Sequence, residues 1–168
     1  MVIDIRKDVP EFEKYVARRV SEHVAASKKQ KKPKPVARID FGFEFGQANW
    51  VALVFDTRKD AEPDGEWSRG INKILFERPK WPIWHKLPDD ANVEFIDLKG
   101  KKVNVMKNPD EMICKIIGDA LKHVLITARD KGVFKPLLKT EKCELGVENL
   151  EGYYGWPAYE KRGRENLA

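Results

Sequence analysis

Cysteine and histidine are scarce in this chain, whose 168 residues include two cysteines and three histidines. Cys114 and Cys143 form no CxxC pair, and His23, His85 and His123 stand far apart. Their spacing builds no local zinc site. Long apolar runs are lacking too, and none approaches the roughly 20 residues that span a bilayer. The opening stretch MVIDIRKDVP has no apolar signal core. These absences predict a cytoplasmic protein with reduced, buried thiols, a Cys114–Cys143 disulfide being the alternative. There is no GxSxG nucleophile elbow. The run Phe41 to Gly46 is spaced like a phosphate loop but falls inside a strand pattern instead of opening a helix. No cofactor is expected from these patterns.

Charge, by contrast, is plentiful. Hydrophobic residues make up 42% of the chain and charged residues 35%, the balance of a globular domain with a heavily charged surface. The net charge is +5, and much of the excess lies in Lys28, Lys29, Lys31, Lys32 and Lys34. This run reads as a solvated helix end and basic linker over 28–35, or else as a patch for nucleic-acid phosphates. No aromatic residue interleaves with these lysines, which argues against single-strand stacking.

Residues 36–67 organise the rest. From Val36 to Phe45 the pattern alternates, with Ala37, Ile39, Phe41, Phe43 and Phe45 on one face and Arg38, Asp40 and Glu44 on a wetter one. Trp50 to Phe55 is apolar on both faces, as in a central strand. Gly46 and Asn49 suit the turn between them because both tolerate positive φ. Apolar spacing and Pro10 predict a helix over 10–29, with Asp8 as its cap. A short helix is expected over 68–78, and a second hairpin over 91–98 and 102–106. The clearest helix runs over 109–131, capped by Asn108 and ended by Gly132. The tail from 146 to 168 is rich in aromatics and glycine.

Four groups of residues could carry chemistry. Asp60, Glu62, Asp64 and Gly65 copy the first half of a calcium loop, but Ile71 stands where the bidentate Glu belongs. That leaves a rigid acidic turn closed by Glu66 and Trp67. Pro88-Asp89 followed by Asp97-Leu98-Lys99 resembles the PD…(D/E)xK pattern of restriction-type nucleases. The resemblance implies magnesium held by Asp89 and Asp97, with Lys99 near the attacking water, and Asp97 to Lys99 on a strand. Asp40 and Glu44 share a strand face about 13 Å apart, too far for one metal without a third group. With Asp56 they would form an acidic stripe for a basic partner. Finally, Trp67, Trp81, Trp84, Tyr153, Tyr154 and Trp156 lie in irregular stretches among charges, where aromatics either cap a core or anchor a partner.

The expected architecture is a single α+β domain over 1–168. An antiparallel sheet of about four strands, in two hairpins, packs against two amphipathic helices, and the tail folds over the sheet or its edge. The expected function is non-enzymatic binding of another protein, of which a bacterial immunity-like, toxin-neutralising role is one concrete form. The expected contact residues are Asp60, Glu62, Asp64, Glu66, Trp67, Trp81, Trp84, Tyr153, Tyr154 and Trp156. The alternatives are a metal-dependent nuclease or hydrolase using Asp89, Asp97 and Lys99, and nucleic-acid binding through the lysine run.

Overall fold

The computed structural model describes residues 1–46, 49–58, 76–78, 80–81, 86–88, 91–105, 109–150 and 152–156. Among these, in chain order, are β1 (Val2–Asp4), a 3-10 turn (Ile5–Lys7), α1 (Val9–Lys28), β2 (Val36–Glu44) and β3 (Trp50–Asp56). There follow β4 (Phe76–Glu77), β5 (Glu94–Ile96), β6 (Lys102–Asn104), α2 (Pro109–Asp130), β7 (Lys139–Asn149) and β8 (Gly155–Trp156). The class is α+β. The sheet, however, is neither single nor wholly antiparallel. A five-stranded sheet runs β4-β3-β2-β7-β8 and a three-stranded one runs β1-β5-β6.

The main correction to the expected sheet concerns β7. This strand of 11 residues lies parallel to β2, with Ile39 opposite Leu145 and Phe41 opposite Val147. It makes β2 the middle strand, antiparallel to β3 on its other side. A parallel pair needs a long crossover, and here the chain between β2 and β7 includes α2. The small sheet likewise pairs β1 in parallel with β5, whereas β5 and β6 form the expected antiparallel hairpin. Phe76 and Glu77, placed near the end of an expected helix, instead form β4, which pairs with the start of β3. The earlier part of that expected helix lies outside the described residues.

The helices cover one face of the large sheet. Tyr15 of α1 stacks on Phe41 at 6.4 Å between ring centroids, and its hydroxyl accepts from the Leu53 amide at 3.0 Å. α2 packs against both α1 and β7. The resulting core joins Ile39, Phe41 and Phe43 of β2 to Ile117, Leu121 and Leu125 of α2 and to Leu145 and Val147 of β7. Cys114 and Cys143 form no disulfide and are buried within it, and burial pushes the Cys143 thiol up to about 12. A thiol held protonated in this way is a packing residue.

The other face of β2 is not the wet surface its alternation predicts. Arg38 is only 2% exposed and Glu44 only 8%. Arg38 donates through Nε to Asp40 and through its terminal nitrogen to Glu148 on β7, each at 2.7 Å. Two carboxylates around one guanidinium satisfy the buried charge. Gly146 leaves room for this pair, since a Cβ there would sit 2.0 Å from Asp40 Oδ1. The expected acidic stripe is therefore organised around an arginine. Asp56 is tied in turn to Arg58, which donates to it at 2.6 Å. Among the described residues, no helix is long and apolar enough to cross a membrane.

Candidate functional site: the aromatic turn on the second helix

The turn between β7 and β8 is fixed by Asn149, a residue only 5% exposed. Its amide nitrogen donates to Phe43 O at 3.3 Å, and its side-chain oxygen accepts from Tyr153 N at 3.2 Å. Backbone bonds from Asn149 N to Tyr154 O and from Leu150 N to Phe43 O close the turn onto β2. An Asx side chain bonded to backbone a few residues on is a common way to set such a turn. The sequence signal was present as Asn149 ahead of a glycine-bracketed aromatic cluster, but the residue's anchoring role needs the β2 carbonyl to be seen.

Tyr154 is turned inward onto α2. A Cβ at Gly118 would lie 2.5 Å from the Tyr154 ring, so only glycine at that helix position admits it. Glycine inside a helix costs about 1 kcal/mol relative to alanine, which the seated ring can offset. The Tyr154 hydroxyl donates to Asp119 at 3.0 Å, and its ring lies 6.4 Å from Phe43. Trp156 is buried, with the Lys122 ammonium 4.8 Å from its ring centroid. Tyr153 and Leu150 are instead 48% and 44% exposed. Between the turn and α2 lies a pocket of about 420 Å³ lined by Glu111, Lys115 and residues 152–156. The arrangement offers an exposed phenol, an apolar neighbour and a recess with one charge of each sign, all on a fixed backbone.

Trp81 has a different environment. It is 2% exposed and packs near Phe12 and Phe45, with its indole nitrogen donating to Asp8 at 3.0 Å. Arg78 pairs with Asp8 and Glu11, and its guanidinium lies within 5.2 to 5.9 Å of the ring centroids of Phe76, Phe12 and Trp81. Asp8 consequently makes no side-chain cap bond to α1, because its carboxylate faces this cluster instead. Burial pushes the Asp8 carboxyl above its ordinary value, against the opposing effects of Trp81 and Arg78. The Glu11 carboxyl is held lower by the Arg78 hydrogen bond. Trp81, expected as a contact residue, is packed into the core.

The nuclease-like residues do not reproduce a strand-borne site. Asp97 and Lys99 lie in the β5–β6 turn, where Asp97 Oδ1 accepts from the amides of Lys99 at 2.9 Å and Lys101 at 2.8 Å. Asp89 lies outside the described residues, as do Asp60, Glu62, Asp64, Glu66, Trp67 and Trp84. Among the described residues, no three His, Cys, Asp or Glu side chains are placed to hold a metal ion together. Lys28, Lys29, Lys31, Lys32 and Lys34 are exposed at and beyond the end of α1. Comparison with family models, curated proteins and solved structures finds no match to this chain.

Proposed function

We infer that the chain is a non-enzymatic protein-binding domain and that the β7–β8 turn, with the adjoining face of α2, is its contact surface. The observation that carries this reading is the pair Tyr153 and Leu150, both exposed on a turn held by the buried Asn149. Tyrosine is enriched among the residues that dominate binding energy, and a pre-ordered backbone avoids much of the entropy lost on association. Neutralisation of a bacterial toxin is one form such binding would take. The acidic stretch 60–67, which lies outside the described residues, belongs to the same proposal as a second contact element.

The test is affinity purification from the producing cell, followed by titration with the purified partner. The unsubstituted protein retains a stoichiometric protein partner, and a Tyr153→Ala, Leu150→Ala double variant of unchanged melting temperature loses it. Neutralising Asp60, Glu62 and Asp64 together assesses the second element. Full retention by the double variant would remove the turn from the contact surface.

A further inference from the structure

We propose that the groove between the β5–β6 hairpin and α2 receives an apolar side chain from an acidic segment of the partner protein. It rests on the protein-binding reading and adds the partner's chemistry. The groove measures about 470 Å³, and its floor is Leu98, Val103, Met112 and Ile116. That volume is ample for a large aliphatic or aromatic side chain, within the usual range for ligand recesses. Lys115 lines both this groove and the tail pocket, so the two recesses adjoin across α2.

The charges at the mouth decide what would enter. Two carboxylates line the groove, and both are engaged. Asp97 accepts from two amides of its own turn, and Asp119 accepts from the Tyr154 hydroxyl and lies 3.3 Å from Lys115 Nζ. Lys99 and Lys101 are exposed on the hairpin rim and, among the described residues, form no ion pair. Their aliphatic stems can extend the apolar wall while the ammonium groups stay in water. With Lys115 paired to Asp119, the remaining rim charges are Lys99, Lys101 and Asp97, so the apolar floor lies under a net positive charge that favours a hydrophobic anchor flanked by Asp or Glu and disfavours one flanked by Lys or Arg.

The test starts with the full-length protein and a display library of random dodecapeptides selected at low salt. Enriched peptides should carry Leu, Ile, Met or Phe flanked by acidic residues. In NMR spectra they should shift the methyl signals of Leu98, Val103, Met112 and Ile116. A Lys99→Glu, Lys101→Glu double variant should bind them at least about tenfold more weakly. Failure to enrich any peptide overturns the proposal, as does enrichment of neutral or basic ones. Shifts confined to residues 150–156 would overturn the groove while supporting the tail turn as the binding site.

Discussion

Two aromatic clusters seated on helices serve opposite ends in this molecule. Trp81 lies at the N-terminal end of α1, closed in by Phe12 and Phe45, bonded to Asp8 and adjoined by Arg78. The turn after β7 lies on the middle of α2 and divides its aromatics, with Tyr154 and Trp156 inward and Tyr153 outward. Both stretches read alike in sequence, as aromatics among charges in irregular chain. The difference is what surrounds each ring. The first cluster closes over itself and contributes stability. The second spends two aromatics on holding its position, which leaves a third free on a fixed backbone.

Breaking the first cluster should have the largest effect. Trp81→Ala removes a buried indole and leaves Asp8 without one donor, so a loss of about 3–5 kcal/mol is expected in urea unfolding. A loss below about 1 kcal/mol would mean the cluster is not part of the core. Next comes Gly118→Ala, which forces Tyr154 off α2 and should destabilise by about 1–3 kcal/mol. In a Tyr154→Ala background the same change should become favourable by about 1 kcal/mol, because the helix gains alanine and no ring opposes it. An unchanged penalty in that background would place the strain elsewhere.

The pH response separates the clusters in a second way. Asp8 binds its proton more tightly when folded than when unfolded. Its contribution is therefore greatest below the unfolded carboxylate value of about 3.9 and declines as pH rises through the higher folded value. Subtracting the stability profile of Asp8→Asn from that of the unsubstituted protein should expose this falling slope. A rising difference would show that Arg78 dominates the site instead of burial. Smallest in stability is Tyr153→Ala, expected within about 0.5 kcal/mol, although partner affinity should fall by roughly ten- to thirtyfold.

Elements with strong local signals were legible. α2 follows from Pro109, its broad apolar face and Gly132, which adopts φ 73° beyond the helix end. The β2–β3 hairpin follows from alternation and from Gly46 and Asn49, both at positive φ. β7 was missed although Cys143, Leu145 and Val147 recur at period two. Lysines and glutamates interrupt that run, and its partner β2 is remote in sequence and parallel, so no hairpin signal marks the pairing. The buried Arg38 was hidden for the same reason, because Glu148 comes from the missed strand. At the candidate site the aromatic residues were visible in sequence, but their division into inward and outward was not. Gly118 decides that division from 36 positions before Tyr154.

The most direct measurement is site-specific photocrosslinking in the producing cell. A benzophenone side chain would be placed at Tyr153 and, as a control, at Leu138, which is 51% exposed and lies at the opposite end of β7 from the turn. If the turn is a recognition surface, position 153 captures one discrete protein in high yield, position 138 does not, and Leu150→Ala lowers the yield at 153. Capture of the same mixed species from both positions, or of none from 153, would contradict it.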